Sequence, residues 1–203
     1  MNYNILPLCA AVAFIATGSG ARAETRDFGS AGDYEVFGEA STRDETGGCM
    51  AEFEYEGPGS TKTKLFRTIS SDDKHLIFLT VVNHEWSAEK GKTYELTYIF
   101  GDSFYERESL GVKSDVIYKG FMSAFPADEF LRVFAGSKSL HIHLGDTVVD
   151  KLLLSGSAAG VALFNKCWAW VVGTERAAQA ERDKYKTIPR DPFAQGAAAE
   201  KDD

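Results

Sequence analysis

Short apolar runs alternate along the chain with polar punctuation, and inside most runs the spacing is two. Residues 49–56 place Ala51, Phe53 and Tyr55 on one face and Glu52 and Glu54 on the other, the pattern of a half-buried strand. Residues 92–100 repeat it more sharply, with Tyr94, Leu96, Tyr98 and Phe100 set against Thr93, Glu95, Thr97 and Ile99. Residues 33–40, 63–70 and 116–125 read as further strands. Residues 75–83 are apolar on both faces, which predicts a central strand covered on two sides. Residues 139–145 and 147–156 predict a hairpin across Gly145-Asp146. Two stretches lack periodicity: 24–32 reads as a polar lead, and 101–115 as a polar connection that carries Phe104 and Tyr105.

Two segments change to helical spacing. Pro126 opens a short helix to Gly136, with Asp128 and Glu129 in a first turn where acids favour the helix dipole. Phe130, Leu131, Val133 and Phe134 give that helix its apolar face, and Gly136 suits its end. A long C-terminal helix is predicted to start at Ser155 or Ser157, either of which would cap it. Its Val161, Phe164, Trp168 and Val171 lie at core-facing spacing. After Gly173 the pattern turns polar, so the helix should project from the body as far as about residue 186. Residues 188–203 have no periodicity and read as a disordered tail. The sum is an α+β fold: one domain over 24–187, a mostly antiparallel sheet or sandwich with a short helix and a long C-terminal helix.

Composition matters chiefly for the compartment. Residues 5–16 form an apolar run too short to span a bilayer, followed by Ala21-Arg22-Ala23, a small-x-small cleavage site. Residues 1–23 therefore read as a secretory signal peptide, which places the protein in a periplasm or outside the cell. No other run approaches membrane length, so no membrane insertion is expected once the signal is removed. Without residues 1–23 the charge is 21 Lys+Arg against 30 Asp+Glu, or −9, which argues against nucleic acid as a partner. Cys9 leaves with the signal. Cys49 and Cys167 remain, and two cysteines in an oxidising compartment predict one disulfide.

Candidate chemistry is sparse. Strand, turn, serine, helix invites a nucleophile at Ser157, but Gly156-Ser157-Ala158-Ala159-Gly160 lacks the G-x-S-x-G spacing of a nucleophile elbow. His141 and His143 share a strand face as a weak metal pair. Zinc needs three or four ligands, and Leu140, Ile142 and Leu144 on the other face make the histidines the exposed side of an amphipathic strand, so no metal and no cofactor is expected. No EF-hand loop, P-loop or G-x-G-x-x-G occurs. Of 14 Phe, 8 Tyr and 3 Trp, most fall on core faces. Trp86, Phe104 and Tyr105 fall in polar connections, where binding residues often sit on a rigid sheet, and they are the candidate binding residues.

The segment 152–167, Leu-Leu-Leu-Ser-Gly-Ser-Ala-Ala-Gly-Val-Ala-Leu-Phe-Asn-Lys-Cys, follows an alternating strand and a short helix. It resembles the C-terminal end of small secreted bacterial envelope proteins, namely the invasion-associated locus B family and the TagO-like type VI secretion accessory proteins. About 40 residues carry the resemblance, and the single mature cysteine pair departs from the locus B pattern. The resemblance implies a disulfide-stapled, non-catalytic protein of the periplasm, and it transfers no residue beyond Cys167. The function expected is therefore a periplasmic or secreted binding or envelope-accessory module, with an envelope protein or a glycan as partner. The alternative is a small hydrolase of an envelope polymer or lipid, using Ser157 or a histidine–acid pair.

Overall fold

The computed structural model describes residues 24–40, 47–55, 59–69, 75–114 and 117–186; the expected signal peptide at 1–23 and the tail at 188–203 lie outside them. The described chain forms β1 (Glu24–Ala31), β2 (Tyr34–Ala40), β3 (Gly48–Tyr55), β4 (Thr61–Ile69), β5 (His75–Asn83), β6 (Thr93–Phe100), β7 (Ser103–Ser114) and β8 (Tyr118–Pro126). Helix α1 (Ala127–Gly136), β9 (Ser139–Leu144), β10 (Thr147–Leu153) and α2 (Ser157–Tyr185) complete it. All ten strands belong to one sheet of order β1-β2-β3-β4-β5-β8-β7-β6-β9-β10, paired antiparallel throughout. The fold is thus a single mostly antiparallel sheet rather than a sandwich. Strands β1 to β5 meander. The chain then crosses to β6 and returns through β7 to lay β8 against β5. After α1 it resumes beside β6, and α2 packs back over β1, β2 and β3.

One face of the sheet is the core. On β5, Ile77, Leu79 and Val81 are fully buried, and on β6 Leu96, Tyr98 and Phe100 are, as the period of two required. Phe130 and Phe134 of α1 and Phe164 of α2 close over them. The other face of β5 is only half-covered. Phe66, Phe78 and Ala124 stand opposite one another across β4, β5 and β8 and shield one another laterally without a second layer.

Two strands escaped the sequence pattern. β1 is an edge strand, exposed except for Phe28 and Ala31, so it has no buried face to print a period. β7 alternates, but its inward residues are Tyr105, Arg107 and Ser109. Arg107 lies 5.3 Å from the Phe125 ring centroid, and Ser109 joins a buried hydroxyl cluster with Tyr98 and Ser123.

The start of α2 also differs from expectation. Neither Ser155 nor Ser157 caps it. The cap position is Gly156, in the left-handed region at φ 78°, with no side-chain cap bond; that conformation suits glycine. Ser157 is the first helical residue and is buried. The helix sits close on β2 because Gly38 and Gly160 lack side chains. A Cβ at Gly38 would lie 2.5 Å from Cys167 Sγ, and one at Gly160 would lie 2.7 Å from Tyr34 Cγ. The Cys49–Cys167 disulfide, Cα atoms 6.1 Å apart, fastens β3 to this helix, with both cysteines fully buried. Beside it Arg67 is buried over the Trp168 ring at 4.7 Å and donates to Asp128 of α1 at 2.9 Å. Past Glu175, which accepts from the Gly47 backbone N–H at 2.7 Å, nearly every α2 residue is exposed, so this end projects as its polar pattern foretold. Among the described residues no helix is long and apolar enough to cross a membrane.

Candidate functional site

In a flat sheet β4 and β10, six strand spacings apart, would be separated by roughly 29 Å. Here Thr61 Oγ1 of β4 donates to Asp150 Oδ2 of β10 at 2.7 Å. The sheet is therefore strongly curled, and β10 faces the ends of β3, β4 and β5 across a cleft of about 770 Å³. That volume lies in the usual range for small-ligand sites. Asp33, Tyr55, Asn83, Glu85, Trp86 and Asp150 are among its walls.

A chain of hydrogen bonds fixes one wall. The Glu85 backbone N–H donates to Asn83 Oδ1 at 2.8 Å, Asn83 Nδ2 donates to Thr61 Oγ1 at 2.9 Å, and Thr61 donates onward to Asp150. Asp150 Oδ1 accepts from the Lys151 N–H at 2.7 Å. Every dipole in the relay runs toward the carboxylate, so Asp150 is held by donors and pre-oriented without a cation. The segment 84–92 is tied down at several points. His84 Nδ1 donates to the Gly59 carbonyl at 2.6 Å, the Glu89 N–H donates to Tyr94 Oη at 2.8 Å, and the Gly91 N–H donates to the Gly111 carbonyl at 2.8 Å. Trp86 stacks on Phe121, ring centroids 5.3 Å apart and planes within 13°. It is thus a rigid, half-buried wall.

Behind the cleft lie two phenols, Tyr34 fully buried and Tyr55 half-buried on the cleft wall. Tyr34 stacks on Phe53 at 4.9 Å, and its hydroxyl lies next to that of Tyr55. Thr63 also lies beside the Tyr55 hydroxyl. Burial pushes Tyr34 up to about 12. Burial, with the neighbouring Tyr34 and Asp150, holds Tyr55 well above the ordinary phenol value. Both stay neutral at any physiological pH.

The three sequence candidates for binding do not meet. Trp86 lines the cleft. Phe104 and Tyr105 lie not in a loop but in strand β7, where adjacent residues point to opposite faces. Phe104 is 68% exposed, while Tyr105 packs on Phe100 and Phe125. Phe121, under Trp86, stands opposite Gly111, six residues and so roughly 20 Å along β7 from Tyr105. His141 and His143 occupy one face of β9, each half-buried, and His141 Nε2 lies 3.4 Å from Ser139 Oγ. Leu144, expected in the core beside Leu140 and Ile142, is 44% exposed because β9 ends there at the hairpin. Among the described residues no three His, Cys, Asp or Glu side chains converge as a metal site, and no histidine pairs with a carboxylate. Sequence reasoning missed Thr61, Asn83 and Asp150, because only folding joins residues 89 positions apart. The one available signal was Trp86 in a polar connection.

The fold and cleft define a curled antiparallel sheet, stapled by a disulfide to its C-terminal helix and open at one end. Comparison with known proteins finds no matching family model, no matching curated protein and no matching solved structure.

Proposed function

We propose that the protein is a non-catalytic binding module of the periplasm or cell exterior, and that it works through the cleft at the end of the sheet. The observation that carries this reading is the pre-organised wall formed by Trp86 and the donor-held Asp150, built on a curled sheet whose β3 a disulfide fastens to α2. Rigid aromatic surface and fixed polar groups in a concave site are the ordinary means of ligand recognition. The disulfide and the signal-like residues 1–23 support an oxidising destination. The envelope-accessory role implied by the resemblance of residues 152–167 belongs to the same reading. A hydrolase would need an accessible nucleophile, and Ser157 is 3% exposed.

Two measurements test it. Expressed with its own N-terminus in a bacterial host, the protein should appear in the periplasmic fraction starting at Glu24. On glycan and peptide arrays it should give signals that Trp86→Ala abolishes while the thermal unfolding midpoint stays within a few degrees. Array signals that are absent, or indifferent to Trp86, sink the assignment of function to this cleft.

A further inference from the structure

We propose that the cleft takes a neutral, extended oligosaccharide, packed on Trp86 and held through adjacent hydroxyls by Asp150; this rests on the cleft being the binding site. The shape is the first observation. Consecutive residues of β10 from Val149 to Leu153, and Ser155 beyond them, border the cleft. Six residue steps of strand extend roughly 20 Å, so the cleft is a trough longer than one sugar ring. Its walls mix apolar surface from Trp86, Val149 and Leu152 with the oxygens of Thr61 and Asp150. A pyranose unit carries the same mixture, apolar C–H faces inside a rim of hydroxyls.

The second observation is the fixed indole. Phe121 backs one face of Trp86, with centroids 5.3 Å apart and planes within 13°, and the Trp86 backbone N–H donates to the Asn83 carbonyl at 3.4 Å. The ring is held in place before any ligand arrives, so little freedom is lost on binding. The negative face of an aromatic ring attracts the weakly positive hydrogens of a sugar's C–H face.

The third observation is the acceptor capacity of Asp150. A carboxylate offers about four acceptor sites. Oδ2 takes the Thr61 hydroxyl and Oδ1 takes the Lys151 N–H, which leaves one site on each oxygen. Neighbouring hydroxyls of a pyranose match such a pair, and hydrogen bonds to an ionised acceptor are stronger than those between neutral groups. Among the lining residues Lys151 is the one cation, against Asp33, Glu54, Glu85 and Asp150. Like charge therefore turns away uronic, sulfated and phosphorylated chains, while a neutral donor-rich chain meets no such barrier.

The test is calorimetric titration of the mature protein with chitotetraose, cellotetraose and maltotetraose. N-acetylglucosamine and glucose serve as the single rings, and tetragalacturonate as the anionic chain. The variants are Asp150→Asn, Trp86→Ala and Trp86→Phe, the last keeping an aromatic ring against Phe121; thermal melts confirm that each is folded. We expect at least one neutral tetrasaccharide to bind roughly tenfold or more tightly than its single ring and than tetragalacturonate. Asp150→Asn should weaken that binding by roughly tenfold or more, as loss of a hydrogen bond to a charged group does, and Trp86→Ala by a similar factor. Raising salt from low to physiological strength should leave the affinity within about twofold, because the ligand is uncharged. Binding should shift the tryptophan fluorescence of the wild type but not of Trp86→Phe, which still binds. No binding of any neutral saccharide, tighter binding of tetragalacturonate, or a single ring as tight as its tetramer overturns the proposal. So does binding indifferent to Asp150→Asn, or a fluorescence shift that persists in Trp86→Phe. Trp86-dependent signals from peptides with none from saccharides would overturn it while leaving the cleft as a binding site. Absence of every Trp86-dependent signal would remove both readings.

Discussion

Gly38 and the disulfide should be energetically coupled. In Gly38→Ala the new Cβ would stand 2.5 Å from Cys167 Sγ, about 1 Å inside ordinary contact, with Trp170 Cζ3 at 3.2 Å and Phe28 Cε2 at 3.4 Å on its flanks. The sulfur cannot swing away, because it is bonded to Cys49 and both cysteines are fully buried. Overpacking of this kind costs about 1–3 kcal/mol. Alanine recovers roughly 0.5–1 kcal/mol by restricting the unfolded chain, so a net loss of about 1–2 kcal/mol is expected. In a Cys49→Ala/Cys167→Ala background the obstructing sulfur is gone, and the same substitution should be neutral or slightly stabilising. The coupling energy is then about 1–3 kcal/mol, within the range for residues in direct contact. Urea denaturation followed by far-ultraviolet circular dichroism measures all four corners of the cycle. Gly160→Ala is the control. Its clash is with Tyr34, so its cost should be the same with or without the cysteines. Additivity of Gly38→Ala within about 0.5 kcal/mol, or an equal cysteine dependence for Gly160→Ala, would refute the reasoning.

The bridge itself closes a separation of 118 residues, for which the chain-entropy treatment gives about 5 kcal/mol. Cys49→Ala/Cys167→Ala should lose a large part of that in urea titrations, and two free thiols by mass spectrometry of unreduced protein would contradict the bridge. Asp128 is 89% exposed, yet its carboxylate faces the buried Arg67, whose pKa is lowered mainly by burial; Asp128→Asn should cost about 1–3 kcal/mol rather than the few tenths usual at a surface, as thermal melts would show. Burial, against the pull of Ser109 and Ser123, raises Tyr98 to about 12. The folded state therefore retains a proton that the unfolded state loses near pH 10. The stability linked to Tyr98 is complete below pH 10 and falls by about 1.4 kcal/mol per unit as pH rises through 12. Tyr98→Phe should flatten the urea midpoint over that window, and an unchanged slope would exclude Tyr98 as its source.

Most of the sheet was legible because burying one face leaves a period of two in the sequence, as Leu96, Tyr98 and Phe100 show. Where that coupling failed, so did the reading. β1 is an edge strand with almost nothing buried. In β7 the inward positions are an arginine stem, a serine and a tyrosine, which satisfy the interior by stacking and hydrogen bonding rather than by hydrophobicity. The helix begins at Ser157, one of the two expected starts, but the capping was misread because backbone conformation at Gly156, not a serine oxygen, sets it. The cleft was legible only through Trp86. Its polar wall is assembled from β4, β5 and β10, and no local pattern records that curl.

The path of the chain also constrains how the protein can be made. The last element, α2, is the one that covers β1, β2 and β3, and its cysteine meets the only described partner thiol 118 residues earlier. A nascent chain therefore presents its first three strands with an uncovered apolar face until the residues of α2 have emerged. Contacts of such long range make for slow closure. During that interval the molecule is exposed to aggregation, so the final helix works as a latch whose late arrival sets the vulnerable time of biogenesis.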